Sequence, residues 1–143
     1  MKRTLFALVV AALAAPVVVA QASGATQLDA EGKALLDRYV VLFNKGDVQA
    51  LASEVYVSAD KATLEAQFKE LRADSFGKLE AYSAGFCNID ADHGKAALKF
   101  ARIYTFGGKM NDDEAKLFDL VKTANGWRIA KEAEAPFDTV LGC

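Results

Sequence analysis

The chain has 143 residues and a formal net charge of −2, with charges of both signs spread along it. This length predicts one folded domain, and the mild acidity argues against nucleic acid or an anionic membrane surface as a partner. The single histidine and two cysteines without C-x-x-C spacing argue against a transition-metal site. No motif points to a cofactor, so we expect none.

Residues 1–22 have the pattern of a secretory signal peptide. Lys2 and Arg3 precede an uncharged, mostly apolar run over 5–20, and Ala20-Gln21-Ala22 fits the small-x-small cleavage rule. We therefore expect cleavage near Ala22 and a periplasmic or secreted protein without a stable membrane anchor. An uncleaved anchor is the alternative, although the run is short for a membrane span and contains a proline.

The two cysteines could pair if the protein is exported. In an oxidising compartment Cys87 and Cys143 could form a disulfide, which would tie down the last residue of the chain. Two free thiols are the alternative, because the sequence gives no distance between them.

After a flexible leader (23–27), we expect a single domain over 28–143. Asp29 is a candidate N-cap, and from there apolar residues recur at helical spacing. Asn44 and Gly46 are typical of a helix C-terminus and predict the end of this first helix.

Three shorter elements follow. Asp47 and Asp60 are candidate N-caps of a short second helix and of a third helix, which Gly77 ends. Between them "SEVYVS" (53–58) predicts a short strand.

The hydrophobic period changes to two after residue 77, which predicts an antiparallel meander. Its strands are expected at 78–89, 95–106, 115–124 and 127–134, and Asn125-Gly126 is a strong hairpin signal between the last two. Helices followed by a meander predict an α+β fold, with the helices on one side of a curved sheet.

Two segments resemble a known superfamily. "LLDRYVVLFNKGDVQALASEVY" (35–56) and "KTANGWRI" (122–129) resemble the opening and closing segments of nuclear-transport-factor-2-like proteins, especially the SnoaL-like branch. The resemblance covers about 28–133. It implies a cone-shaped α+β barrel with a cavity open at one end, and a homodimer through the outer face of the sheet. Members include ketosteroid isomerase and polyketide cyclases as well as binding modules without catalysis.

Alternation predicts which side chains of the last hairpin face the helices. A two-residue turn at Asn125-Gly126 would set Lys122 opposite Ile129. The expected helix-facing residues are Phe118, Leu120, Trp127, Ile129, Lys131 and Ala133. The expected outward-facing residues include Arg128, Ala130 and Glu132.

The direction of Arg102 depends on the register of its strand. Placing Phe118 opposite Tyr104 puts the large aromatic side chains and Arg102 on the helix-facing side, and we prefer this register. Arg102 would then be a ligand anchor for a carboxylate or phosphate. Alternatively it pairs with a helix carboxylate such as Asp37 or Glu54, or joins a cross-strand pair after a one-residue shift.

We therefore expect an exported domain that binds a small apolar or amphipathic ligand in the cone, or that acts as a dimeric interaction module, without catalysis. The candidate ligand-binding residues are Tyr39, Phe43, Tyr56, Tyr82, Arg102 and Tyr104. The alternative is an isomerase, cyclase or hydratase that uses a cavity carboxylate and a tyrosine. No residue matches the catalytic aspartates of the family, so none is assigned as catalytic.

Overall fold

The computed structural model describes residues 24–74, 76–105 and 112–142; the predicted signal peptide and Cys143 lie outside these ranges. The elements are α1 (Gly24–Lys45), α2 (Val48–Ala50), a π-helical turn (Leu51–Val55), α3 (Lys61–Ala73), β1 (Phe76–Asn88), β2 (His93–Tyr104), β3 (Asp112–Thr123) and β4 (Gly126–Ala135). None of the helices within these ranges is long and apolar enough to span a membrane.

The four strands form one antiparallel sheet in the order β1-β2-β3-β4. The helices pack against one side of it, here called the inner face, and the core lies between them. The α+β architecture is therefore confirmed. The sheet is open, with β1 and β4 as its edges, so the expected barrel does not close.

Helix α1 is the main partner of the sheet. It begins at Gly24, so residues 24–27, predicted as a flexible leader, are helical. Gly32 lies within the helix, where a Cβ atom would approach the Phe86 ring of β1 to 2.7 Å. A larger residue there would force the Phe86 ring to shift, so glycine suits the close packing of helix and strand.

The end of α1 also protects an edge of the sheet. Gly46 has a positive φ of 65° and its N–H donates to Phe43 C=O, which ends the helix. The Asn44 side-chain amide donates to Leu79 C=O at 2.9 Å and accepts from Leu79 N–H at 2.7 Å. Asn44 therefore replaces a neighbouring strand at this point of β1.

Of the predicted N-caps, Asp47 and Asp60 are confirmed. The prediction for Asp29 is wrong, because α1 already begins at Gly24 and Asp29 lies inside it. The Asp47 carboxylate accepts from Ala50 N–H, and the Asp60 carboxylate accepts from the first backbone N–H groups of α3. The strand predicted over 53–58 is wrong. Leu51 and Val55 are both fully buried at i, i+4 spacing, which suits a helical turn, and only Tyr56 makes an isolated bridge to Ile129.

The last hairpin turns one residue earlier than predicted. Thr123 pairs with Gly126 and Lys122 with Trp127, so Ala124-Asn125 form the turn and Gly126 has a φ of 96°. This differs from the predicted register by two residues, which preserves the faces. Four residues share the inner face as predicted: Phe118, Leu120, Trp127 and Ile129.

Strand β4 contains a bulge that the sequence analysis did not predict. Asp119 pairs with Lys131 and Leu120 with Ile129, which leaves Ala130 as an extra residue without an opposite partner. An extra residue reverses the alternation of side chains beyond it.

The reversal changes the inner face of β4 after the bulge. Glu132 and Glu134, rather than Lys131 and Ala133, carry the contacts to the inner side chains of β3 and β2. The outward direction predicted for Glu132 is therefore wrong.

The register between β2 and β3 also differs from the preferred one. Phe118 pairs with Ala96, not with Tyr104. The two registers differ by an even number of residues, so Arg102 still lies on the inner face, where it contacts Glu114.

Candidate functional site

A lysine is buried on the inner face between α1 and the sheet. Lys116 of β3 is only 3% exposed. Its Nζ donates to Tyr39 Oη and to Glu132 Oε1, both at 3.2 Å, and Tyr56 Oη donates to Glu132 Oε2 at 2.8 Å. These four residues, Lys116, Tyr39, Tyr56 and Glu132, are called the lysine cluster below.

The surroundings of the lysine cluster are aromatic and keep its two phenols protonated. The Lys116 ammonium lies 5.5 Å from the Phe43 ring centroid and 5.9 Å from that of Tyr39, within cation–π range. Burial raises the pKa of Tyr39 well above its usual range, and burial, with Tyr39 and Glu132 nearby, raises the pKa of Tyr56. Both phenols therefore remain protonated at neutral pH.

Arg102 forms a second charged group on the inner face, nearer to α3. Its Nη2 lies 2.8 Å from Glu114 Oε2 and 3.3 Å from Glu134 Oε1, and Tyr104 adds a side-chain hydrogen bond. Burial opposes the charge of Arg102, but Glu114, Tyr104 and Glu134 together raise its pKa. Burial raises the pKa of Glu114 although Arg102 is close.

The predicted alternatives for Arg102 involved other carboxylates. Asp37 instead binds Lys33 on the exposed side of α1, and Glu54 binds Arg38. Arg102 therefore pairs with strand carboxylates that the sequence analysis did not consider.

A pocket of about 240 Å³ opens beside Arg102, between α3 and the inner face; we call it the α3 pocket. Phe43 and Leu71 form an apolar wall. The sheet contributes two cations and a carboxylate, and α3 contributes two further carboxylates, Glu70 and Asp74. The lining residues are Phe43, Gln67, Glu70, Leu71, Asp74, Arg102, Lys116 and Glu134.

The structure brings most of the predicted ligand-binding residues to one side of the sheet. Tyr39 and Tyr56 lie in the lysine cluster, and Tyr104 contacts Arg102. Of the six, Phe43 and Arg102 line the α3 pocket. Their role in binding stays a prediction.

Tyr82 does not join this group. It is the extra residue at a bulge in β1, and its ring packs edge-to-face on Phe137 of the C-terminal segment with centroids 6.0 Å apart. Its hydroxyl donates to Asp113, which raises the pKa of Tyr82. Tyr82 therefore lies on the outer face of the sheet.

The sequence analysis missed two residues of the lysine cluster, Lys116 and Glu132, for different reasons. Lys116 occupies the same alternation as Phe118 and Leu120, so the period of β3 was enough to place it on the inner face. Glu132 could not be found in this way because the bulge at Ala130 lies between it and the turn.

The lysine cluster has the residue types of an acid–base site, but its groups bind each other. Each oxygen of the Glu132 carboxylate accepts a hydrogen bond, one from Lys116 and one from Tyr56. Both oxygens of this carboxylate are therefore already occupied by donors of the lysine cluster. No group of three or more metal-binding side chains occurs among the described residues.

The C-terminal segment crosses the outer face of the sheet. Lys99 Nζ lies 5.2 Å from the Phe137 ring centroid, and Val140 and Leu141 line one pocket together with Leu117. The outer face predicted as a dimer interface is thus partly covered by residues 136–142. The predicted partner of Cys87, Cys143, lies outside the described residues, so the disulfide stays a prediction.

The chain matches no protein-family model, and no curated protein matches it significantly. Solved structures share its fold. A nuclear-transport-factor-2-like protein with a cystatin-like fold from Novosphingobium aromaticivorans is 19% identical, with a TM-score of 0.59, over 80% of this chain and 85% of that one. A nuclear-transport-factor-2-like protein of unknown function from Shewanella oneidensis is 14% identical, with a TM-score of 0.58, over 74% of this chain and 97% of that one. A protein of unknown function from Mycobacterium tuberculosis is 14% identical, with a TM-score of 0.62, over 77% of this chain and 72% of that one.

Proposed function

The nuclear-transport-factor-2-like fold hosts both enzymes and binding modules, so the side chains of the site have to decide the function. We propose that this protein is an exported, non-catalytic domain that binds a small amphipathic molecule in the α3 pocket. The single observation that carries the proposal is the pairing of an apolar wall, Phe43 and Leu71, with the Arg102 guanidinium in one small pocket.

The shape and charge of the α3 pocket favour an amphipathic ligand over a wholly apolar one. The space of about 240 Å³ suits a molecule smaller than a typical drug. Arg102 can donate hydrogen bonds to a ligand carboxylate or phosphate if Glu134 moves away, and the Glu134 side chain is 66% exposed. The Glu114 pair is more buried and would remain.

Three matched probes test this proposal. Hexanoate and hexyl phosphate should raise the melting temperature of the purified protein, and hexanol, which has the same chain without a charge, should raise it less. Arg102→Gln should abolish the difference, while the exposed cation change Lys61→Gln should preserve it. Equal shifts for all three probes, or none for any, would overturn the proposal.

The second candidate is an isomerase, cyclase or hydratase, favoured by the 2.8 Å contact between Tyr56 and Glu132. Neither residue is among those lining the α3 pocket, and Glu132 also binds Lys116. Turnover of an enolisable ketone that disappears in Glu132→Gln would support the enzyme. Turnover that survives this change would assign it to other residues.

The proposal also includes export and dimerisation, and each is tested separately. Export rests on the signal-like pattern of residues 1–22, and mass spectrometry of the protein from the periplasm or medium would reveal cleavage near Ala22. A homodimer through the outer face would include the segment 136–142, because Phe137 already packs there on Tyr82. Sedimentation velocity of the protein and of Phe137→Ala tests this interface.

A further inference from the structure

A second groove lies between the middle of α1 and the last hairpin, beside the β4 edge of the sheet. It has a volume of about 400 Å³, and we call it the hairpin groove. Its lining residues are Glu31, Ala34, Leu35, Arg38, Glu54, Asn125, Gly126, Trp127 and Arg128. None of them lines the α3 pocket, so a ligand here would occupy a separate site.

Arg128 is the reason to regard the hairpin groove as a binding site. The residue is partly buried, and its Nη1 donates a hydrogen bond to Trp127 C=O at 3.0 Å. Within the described ranges of the chain, this backbone carbonyl is the only partner of the guanidinium, and no carboxylate pairs with it. A guanidinium has five N–H donors, so most of those of Arg128 remain available to a ligand.

The other charged residues that line the groove have partners of opposite charge. Arg38 binds Glu54, with Nη2 lying 2.6 Å from Oε2 and Nε donating to the same oxygen at 2.8 Å. The Glu31 carboxylate binds Lys122, and this bond is the main cause that lowers the pKa of Glu31. With these two pairs balanced, Arg128 leaves the groove with one positive charge that no described carboxylate neutralises.

We propose that the hairpin groove binds a small molecule with one anionic group, a carboxylate or a phosphate, which pairs with Arg128 while an apolar body packs beside Leu35 and Ala34. The planar guanidinium matches the oxygens of such a group and can bind two of them at once. The ligand would thus supply the charge partner that Arg128 lacks, and the two existing ion pairs would stay intact. An amine would be repelled by Arg128.

The single tryptophan provides the readout, because Trp127 lines the groove. Benzoate or phenyl phosphate should change the tryptophan fluorescence of the purified protein in a saturable titration, and the tighter of the two identifies the preferred anion. Benzamide, which is neutral and has nearly the shape of benzoate, should bind at least about tenfold more weakly than benzoate. Equal affinities for benzoate and benzamide, or no saturable change with either anion, would overturn the proposal.

Variants locate the bound anion. Arg128→Gln removes the charge, so the affinity for benzoate should fall at least about tenfold, whereas Arg128→Lys keeps the charge and should retain part of the binding. Arg72→Gln, an equal loss of charge at an exposed arginine outside the groove, should leave the affinity unchanged.

Arg102→Gln separates this inference from the proposed function, because Arg102 lines only the α3 pocket of the two sites. It should leave the benzoate affinity unchanged. An affinity that falls in Arg102→Gln and survives in Arg128→Gln would overturn the hairpin groove as the anion site and leave the proposed function standing.

Discussion

The lysine cluster gives the sharpest prediction of stability. Lys116→Met removes a buried ammonium and keeps the length of the side chain. In the unmodified protein Lys116 Nζ lies 3.2 Å from Glu132 Oε1. The variant therefore loses an electrostatic attraction of about 5 kcal/mol at an effective dielectric constant of about 20. Glu132 is 22% exposed and can recover some hydration, so we expect a net loss of about 3 kcal/mol in the free energy of unfolding.

A double-mutant cycle in urea separates the ion pair from general packing. Glu132→Gln alone leaves the Lys116 ammonium buried without its carboxylate and should cost a similar amount. Lys116→Met with Glu132→Gln removes both charges, so it should lie within about 1 kcal/mol of the unmodified protein.

The matched control is Lys33→Met, at an ion pair whose lysine side chain is 67% exposed; it should change stability by less than about 0.5 kcal/mol. The reasoning is refuted if the double variant loses the sum of the two single losses, or if Lys116→Met is as mild as Lys33→Met.

Three further predictions concern other parts of the fold. Asn44→Ala removes both hydrogen bonds to the Leu79 backbone and should cost about 2 kcal/mol in urea unfolding, because a partly buried strand edge loses its partner. Lys122 lowers the pKa of Glu31, so this pair stabilises the fold above the usual glutamate pKa of 4.5; the contribution is lost as the pH falls further. Melting temperatures of the protein and of Glu31→Gln should therefore converge at acidic pH. The predicted disulfide should give an intact mass 2 Da lower before reduction than after it.

Each of these has an outcome that contradicts it. An unchanged urea midpoint in Asn44→Ala would mean that water replaces the amide at the edge. Glu31→Gln curves that stay parallel down to the lowest pH would show that the carboxylate charge contributes nothing. Two alkylatable thiols in the unreduced protein would exclude the disulfide.

Much of the fold could be predicted from local signals. The caps Asp47 and Asp60 act within one helical turn, so the sequence around each contains all the information that the bond needs. The inner face of the last hairpin was predictable for the same reason: a short turn allows few registers, and Phe118 and Trp127 keep their faces after a two-residue shift.

The candidate site was predictable only in part. Tyr39 and Phe43 follow from the helical stripe of α1, and Arg102 from the alternation of β2. Their partners did not follow, because the sequence between β2 and β3 is long enough to be compatible with several registers. The role of Asn44 at Leu79 joins residues 35 positions apart and leaves no local pattern.

The sequence by itself thus determined the order of the main helices and strands, the caps Asp47 and Asp60, and the alternation of each strand up to its bulge, because these depend on neighbours along the chain. Only the tertiary structure decided which charged side chains lie on the inner face and which of them pair. A single extra residue at Ala130 turns Glu132 inward to Lys116 and Glu134 inward to Arg102. A bulge forms where the packing of a whole sheet favours it, so its position cannot be deduced from the strand that contains it.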